Sequence, residues 1–523
     1  MNQTNLTFPA ILPSLSTIVL SLPILLLATW LANAIYNIFF HPLSHIPGPF
    51  WGKITNFQFI LAYIRGRDVE WDRRNFESYG DVYRTAPNLL VFSNPAYLPL
   101  VYHRHAEKGD TYLITAPYGL IALSGHREHA AARKRLQAPF TVSAVRKTAA
   151  LVNEVVDAWV TGLGEAVDEL HINPCSSSSD DGRKKGKTVE LDFTIWPSFL
   201  TYDVLTKLCF GKEYGFCRER RDLGGLVKAG EDNIVPVGVA MRLPVVMRWV
   251  RRLGLERLLE VTEETPGMGE FIKYRDRMLK ERLEKPSDTP DILNHLLKTW
   301  NPNGAPLSET DITQLKEELL GLMTAGTDTS AQFLRDLIYQ IGTHPDSLSR
   351  LYSEIPPTPS SSASPPPPSP YLTACILETL RLHAPATFPF PRTISSPGLH
   401  LGPHFIPPCG SHIEIYASAL NIGRSREVFG EDAEEWRPER WVEAGEEVRS
   451  RWEKASFAWG FSARGCVGRP VAEVEIEGAV RGLLGAFVVE GARVVGGGEV
   501  GEMGRLHVGR RGERVLVELR RRE

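Results

Sequence analysis

The stretch from Ser308 to about Ile341 constrains the fold more than any other part of the chain. Ser308-Glu-Thr-Asp311 has the pattern of a helix-capping box. The residues after it keep helical periodicity for about 33 positions, which at 1.5 Å rise predicts a helix of roughly 50 Å. A helix of that length crosses a whole domain, so the rest of the chain must pack around it. Its middle carries Ala325-Gly-Thr-Asp-Thr-Ser330, an odd choice for a helix interior, where Gly and Thr are poor helix formers and polar side chains are costly. A locally loosened backbone beside a hydroxyl and a carboxylate would make a small hydrated groove. Such a groove could hold dioxygen and deliver protons to it, with Thr329 hydrogen-bonding the oxygen and Asp328 supplying the relay. The competing reading is a surface helix kinked at glycine; the apolar neighbours Leu319, Leu320, Leu322, Met323 and Phe333 weigh against it.

Cys466 sits in Phe457-Ala-Trp-Gly-Phe-Ser-Ala-Arg-Gly-Cys-Val-Gly468, with Arg464 two positions before it, Gly468 two after, and a helical pattern next. That arrangement suits a thiolate ligand to a haem iron, because N–H groups converging from a tight turn and a helix N-terminus lower a thiol's pKa and hydrogen-bond the sulfur. Small residues let the backbone approach a flat macrocycle. On this pattern alone a buried structural cysteine is an equal alternative. The other cysteines, at 175, 209, 217, 375 and 409, form no Cys-x-x-Cys pair, so a disulfide framework or zinc ribbon is not expected.

Two further groups bear on the cysteine. Glu378 and Arg381 stand at i and i+3 on a helix predicted from about Tyr371 to His383. With Arg440 of Trp436-Arg-Pro-Glu-Arg-Trp441 they would form a bidentate network locking the segment before Cys466, a structural rather than catalytic role. His129 and Arg133 lie at i and i+4 on another predicted helix, and Arg392 follows Phe388-Pro-Phe-Pro; these are cationic donors that the two propionates of a haem would require. A plain exposed basic helix is the alternative, which Lys134 and Arg135 partly support.

The first fifty residues hold no Lys or Arg, and from Ala10 to about Phe40 the chain is almost continuously apolar, interrupted by Pro13, Pro23 and Asn33. Roughly 20 such residues span a bilayer. Ala32-Asn-Ala34 resembles a signal-peptide cleavage site, but there is no basic n-region and the apolar run continues past it. An uncleaved anchor is expected over residues 1–40, then a proline-stiffened hinge over 41–52 containing His41-Pro-Leu-Ser-His-Ile-Pro-Gly-Pro-Phe50. The first basic residues follow the anchor, which puts the bulk of the protein in the cytosol and leaves Asn2 and Asn5 as lumenal glycosylation candidates. Helical periodicity is read over 151–167, 191–210 and 271–283, and strands at 89–93, 398–406 and in the C-terminal tail. The tract from Cys175 to Lys187 and the Ser/Pro-rich run from Ile355 to Pro370 read as surface loops. A net charge of −3 argues against a nucleic-acid partner.

With these residues assembled, the chain resembles the cytochrome P-450 superfamily, and within it the membrane-anchored fungal monooxygenases of secondary metabolism. The order of segments carries the likeness: His129/Arg133, Ala325 to Ser330, Glu378/Arg381, Trp436 to Trp441, then the cysteine loop. The resemblance implies a mainly α, single-domain fold with minor β-sheets over 53–523, plus the N-terminal transmembrane helix. It implies haem b held through Cys466, whose thiolate pushes electron density onto iron and favours O–O cleavage. The implied reaction is NADPH- and O2-dependent oxidation of a lipophilic small molecule such as a terpenoid, polyketide or alkaloid, at the endoplasmic reticulum membrane. Electrons would come from an NADPH-cytochrome reductase, with cytochrome b5 a second donor, docking near Lys134, Arg135 and Arg469. Substrate would contact segments near Asp110 to Leu123, the helix before Gly326, and Ala384 to Phe390. A haem-dependent rearrangement or dehydration without monooxygenation is the alternative enzyme, and a non-catalytic haem-binding membrane protein the alternative outside enzymes. Family members usually have glycine four residues before the cysteine and phenylalanine seven before, where this chain has Ser462 and Trp459. Either serine occupies the glycine's place, at φ > 0, or the loop is two residues shorter with Phe461 as the phenylalanine.

Overall fold

The structure is a computed structural model that describes residues 15–522 apart from 115–118, 173–187, 256–257, 259, 302–305, 358–368, 409–412 and 497–511. The glycosylation candidates Asn2 and Asn5, Pro13, and nearly all of the two expected surface tracts lie outside the described residues.

The capping box forms as its sequence requires. Ser308 Oγ accepts from the Asp311 N–H at 3.1 Å while Asp311 accepts from the Ser308 N–H, and the long helix then runs from Glu309 to Thr343. It stays α-helical through 325–330, so the expected loosening of the backbone does not occur. Two features account for the unusual residues there. Threonine hydroxyls bond back to carbonyls of the preceding turn, Thr324 to Leu320, Thr327 to Thr324 and Thr329 to Ala325 at 2.8–3.2 Å, which satisfies them without opening the helix. Gly326 lets the helix Trp196–Phe210 approach: a Cβ at that position would lie 3.0 Å from Leu205 Cδ1.

That partner helix is buried along nearly its whole length. It begins at Trp196 rather than Leu191, because Val189–Asp192 is instead a strand, β3, paired with the C-terminal tail. Val142–Ile172 and Arg469–Ala486 pack beside these two helices, and Trp159 closes the core by donating its indole N–H to the Trp196 carbonyl at 2.8 Å. The strands are marginal to this body. β1 (Val82–Ala86), β2 (Leu89–Phe92), β7 (Glu414–Ala417) and β4 (Arg392–Thr393) form one mixed sheet. β3, β9 (Glu513–Arg521) and β8 (Phe487–Gly496) form a second, and the hairpin β5 (Leu399–Leu401) and β6 (His404–Ile406) a third.

At the N-terminus an apolar helix, Leu15–Ile35, accommodates Pro23 and passes into a π-helical turn, Tyr36–Phe40. Ser21–Phe40, with a mean hydropathy of 1.6, is long and apolar enough to cross a membrane. The segment after it lies against the first sheet. Buried Arg84 on β1 donates to the Asn37 carbonyl at 2.8 Å, the His41 ring meets Asn88 Oδ1 at 2.9 Å, and Leu43 and Ile46 are fully buried.

Glu378 organises the other side of the molecule. It lies on the helix Pro370–Leu382, with no exposed surface. Arg381 Nε and Nη2 donate to its two oxygens at 2.8 and 2.7 Å; Arg440 Nε, the Trp441 indole and the Arg437 N–H donate at 2.8–2.9 Å. The guanidiniums then reach outward to carbonyls of the irregular chain ahead of the cysteine, Arg381 to Gly423, Ala433 and Glu435, and Arg440 to Phe429 and Asp432. One carboxylate thereby fixes the stretch 423–435, which has little regular structure of its own beyond the helical turn Arg426–Phe429. Burial pushes the Glu378 carboxyl upward, but the bonds from Arg381 and Arg440 win and hold it below its ordinary value.

Glu378→Ala should lower the urea-unfolding free energy by about 3–5 kcal/mol, because it leaves two buried guanidiniums without their counter-ion. Since Glu378 titrates below an ordinary carboxyl, its contribution is in place above the unfolded value of 4.5 and is lost as pH falls through the folded value. The difference in urea midpoint between wild type and Glu378→Ala should therefore narrow on acidification below pH 4.5.

Candidate active site

Cys466 sits at the end of a loop whose turns hold it out. Its N–H donates to the Trp459 carbonyl at 2.7 Å, the Gly465 N–H donates to Ser462 at 3.0 Å, and Gly468 caps the helix Arg469–Ala486. The sulfur receives the N–H groups of Gly468 and Arg469. Although Cys466 is open to solvent on one side, the protein packed around its sulfur desolvates the thiolate enough to outweigh those bonds and the nearby Arg133 and Arg469 charges, and its pKa is raised rather than lowered. Among the described cysteines it is the exposed one; Cys209, Cys217 and Cys375 are buried inside the core. Ser462 adopts φ +57°, the left-handed backbone expected if serine occupies the glycine's place, and Gly460 two residues before it is left-handed as well (φ +70°). The 3-10 turn Ser462–Arg464 starts on the strained residue.

Around the cysteine loop the basic residues singled out in the sequence come together. His129 and Arg133 lie on the helix His126–Leu136, Arg392 on β4, and Arg464 on the loop itself. Arg133 donates to the Gly465 carbonyl, Arg464 to the Leu123 and Ser124 carbonyls at 3.2 and 2.8 Å, and Arg392 to the Tyr112 hydroxyl at 2.8 Å and to the Phe390 and Pro391 carbonyls. None of these bonds ends on a carboxylate. The cost of gathering the charges appears in their protonation. His129 is pushed down to about 3 by burial and by Lys108, Arg464, Arg133 and Arg392, and Arg464 down to about 10 by burial and Arg392. Arg392 Nε is buried without a partner among the described residues. A cluster of cations with an orphaned guanidinium N–H, next to a reachable thiol, fits a flat anionic macrocycle bearing two carboxylates and a metal.

Two groups escaped the sequence reading. Lys108 is buried in the same cluster, and no pattern surrounds it in the sequence. Glu475, two turns into the helix after the cysteine, is fully buried with neither carboxylate oxygen hydrogen-bonded at normal geometry. Burial drives its carboxyl up to about 8, with the Ser330 hydroxyl opposing, so it is neutral at pH 7. Its helical spacing reads as an ordinary exposed glutamate, and only the packing against the long helix reveals it.

On the long helix, Ala325 and Asp328 are exposed on a span that is otherwise largely buried. Asp328 lies under the backbone of Gly230, where a Cβ would come within 3.1 Å of its carboxylate, and it acts electrostatically on Tyr202, Glu231 and Arg335. Thr329 commits its hydroxyl proton to Ala325 O, so its free lone pairs make it an acceptor rather than a donor. Of the expected docking residues, Lys134 is exposed, but Arg135 is half-buried with its guanidinium 5.0 Å from the Trp300 ring, and Arg469 pairs with Glu473 at 2.7 Å. The residues 115–118 of the expected substrate segment lie outside the described residues.

A reachable sulfur beneath a pool of unneutralised cations suits one class above others, the proteins that hold haem between a long helix and a cysteine loop. Residues 45–495 match the family model described as cytochrome P450, and the chain belongs to that family. It is similar to the cytochrome P450 monooxygenase pkfB of Emericella nidulans, 29 % identical over 491 residues that cover 90 % of this chain and 92 % of the relative. It is also similar to the quiannulatic acid synthase of Emericella variicolor, 26 % identical over 473 residues (86 % and 87 %), and to the cytochrome P450 monooxygenase asR2 of Sarocladium schorii, 27 % identical over 484 residues (86 % and 87 %). The protein is accordingly a haem-iron monooxygenase, an oxidoreductase whose relatives serve fungal secondary metabolism.

Ser462→Gly should relieve the left-handed strain of the cysteine loop, which is of order 1–2 kcal/mol, against the extra backbone entropy of glycine. The expected net gain is up to about 1 kcal/mol, read as a higher urea midpoint with an unchanged haem spectrum. A lower midpoint would mean that the serine side chain contributes more than its backbone costs.

Proposed function

We propose that this chain is a haem b-thiolate monooxygenase in which Cys466 ligates iron, and that it oxidises a lipophilic secondary metabolite, a terpenoid, polyketide or alkaloid, with O2 and electrons from NADPH. The observation that carries this reading is the exposed Cys466, its sulfur held by two backbone N–H groups, beside a cluster of basic side chains whose hydrogen bonds go to carbonyls and a phenol rather than to carboxylates. Arg133, Arg392 and Arg464 would neutralise the haem propionates with His129 as a further hydrogen-bond donor, and the N–H groups of Gly468 and Arg469 would moderate the donor strength of the sulfur. Glu378, Arg381 and Arg440 act by holding the loop in place and touch no reactant. When bound, the haem supplies the oxygen-activating chemistry, with the thiolate favouring O–O cleavage.

The chain's own residues manage protons. Thr329, its hydroxyl proton held by Ala325 O, offers an acceptor on the helix face that Ala325 and Asp328 expose and there keeps a proton donor in place. Asp328, exposed on the same turn, carries protons inward from the side of Glu231 and Arg335. Ala384 to Phe390 and the exposed face around Ala325 are the apolar wall for substrate, and the long-helix core behind them excludes water. Electrons would enter from a membrane-bound NADPH-cytochrome reductase, with cytochrome b5 as a second donor, at the face bearing Lys134 and Arg469. Residues 1–40 would anchor the protein once in the endoplasmic reticulum membrane, 41–52 would join anchor to body, and 53–523 would form the cytosolic catalytic domain.

Cys466→Ala should abolish the absorption band that thiolate-ligated haem gives when reduced and bound to CO, and a retained band would remove Cys466 as ligand. Thr329→Ala should keep that band but release a larger share of NADPH electrons as peroxide; unchanged coupling would take Thr329 out of proton delivery. Expression with a reductase, followed by a metabolite screen for haem spectral shifts and NADPH-dependent product, tests the reaction class. Product formation without NADPH or O2 consumption would overturn it.

A further inference from the structure

The apolar helix Leu15–Ile35 and the turn Tyr36–Phe40 carry two asparagines four residues apart, inside the span that is apolar enough to cross a membrane. Asn37 belongs to the body. It is buried, its carbonyl accepts from Arg84 at 2.8 Å, and its side-chain Nδ2 donates to Asn33 Oδ1 at 3.0 Å. Asn33 is exposed, and because its oxygen is turned to Asn37, its own Nδ2 is turned away; among the described residues that group donates to nothing. The apolar span ends at Phe40, so at 1.5 Å per residue Asn33 lies about 10 Å inside it, where lipid offers an amide no partner. Thr29 stands one turn further in, with its hydroxyl proton committed to the Leu25 carbonyl at 2.7 Å.

The two polar residues share one seam. Leu22, Leu26, Thr29, Asn33 and Tyr36 follow one another at alternating steps of four and three, the spacing of a helix that packs along its length against another, and all five are exposed. The body covers a different face, that of Ala34 and Asn37, which are buried. With 3.6 residues to a turn, the seam and the covered face stand about a quarter-turn apart.

We propose that this seam binds the same seam of a second copy, making the protein a parallel dimer in its membrane, joined through Asn33. This rests on the anchor reading above. A carboxamide carries donor and acceptor together, so the Asn33 side chains of two copies related by a twofold axis along the helices satisfy each other, Nδ2 to Oδ1 and back. Oδ1 has a second lone pair beyond the one given to Asn37. A single asparagine in such a seam also fixes its register, because sliding one helix past the other returns both amides to lipid. The symmetry then decides where the bodies go. Each body lies to the side of the seam, so the twofold axis carries the two to opposite sides of the helix pair. A seam on the face of Ala34 and Asn37 would have been blocked by the body itself.

Full-length holoprotein in phosphatidylcholine vesicles tests this, with copies carrying donor or acceptor dye mixed and then diluted with lipid. Energy transfer in wild type should survive roughly 3- to 30-fold more dilution than in Asn33→Leu, the range that one interhelical polar contact supplies in membranes. Asn33→Gln, which keeps the amide, should stay close to wild type. Equal transfer in wild type and Asn33→Leu overturns the proposal, as does wild-type transfer no greater than random proximity gives. If Asn33→Leu changes reductase-supported NADPH consumption and leaves transfer unaltered, the seam serves another membrane helix and the second copy is ruled out. Oxidative crosslinking in the same vesicles reads the geometry. Leu26→Cys, on the seam, should give disulfide-linked dimers above the wild-type background, and Leu31→Cys, on the opposite side of the helix, should not. Crosslinking as fast at Leu31 as at Leu26 overturns the proposal. Wild type that washes out of cell membranes in carbonate without detergent would instead sink the anchor reading, so the two failures are distinguishable.

Discussion

The buried carboxylate of Glu378 is the interaction on which the cysteine loop depends. A loop that must present a sulfur to a metal cannot be built from a helix or strand, whose side chains are set by period. It must come from irregular chain, and irregular chain needs its backbone polar groups satisfied from outside. Arg381 and Arg440 do this by bonding five carbonyls between Gly423 and Glu435, and Glu378 makes it affordable by neutralising both guanidiniums at once. The pair of arginines would be intolerable in the core without it.

The cofactor side obeys the opposite electrostatic logic. There the protein gathers Lys108, His129, Arg133, Arg392 and Arg464 and gives them carbonyls and a phenol in place of carboxylates. Compensation is withheld at one buried cluster and complete at the other. This contrast separates a structural network from a binding site more clearly than residue type does, since arginine dominates both. The withheld charge is a stored demand for an anion, visible in how far His129 and Lys108 are driven toward their neutral forms.

Much of this was legible from sequence because it is local. The capping box at Ser308, the i and i+3 pair Glu378/Arg381, the apolar N-terminal run and the turn before Cys466 each declare themselves within a few residues. What escaped is long-range. The apolar spacing around Leu191 suits a helix, but pairing with a strand more than 300 residues away decides its conformation. Gly326 reads as a break in the helix and is instead a point of close contact, a property of its neighbour Leu205 and not of its own sequence. Lys108 and Glu475 carry no motif, and their burial comes from segments far off in the chain. The strain at Ser462 belongs to this group as well, because a left-handed φ of +57° at a serine is set by the turns around it and not by its own preference.

The junction at Asn37 and His41 bears on how such a protein meets a bilayer. The end of the apolar helix is pinned to β1 by Arg84, and the residue that follows it, His41, to the β1–β2 turn by Asn88, so the helix is less a tether than a rigid mast. If that mast stands in a membrane, its tilt is the tilt of the whole body. Bilayer thickness, which sets how far an apolar helix leans, then sets the height and heading at which the body's surface faces lipid, and so the direction from which a membrane-dissolved molecule first meets it.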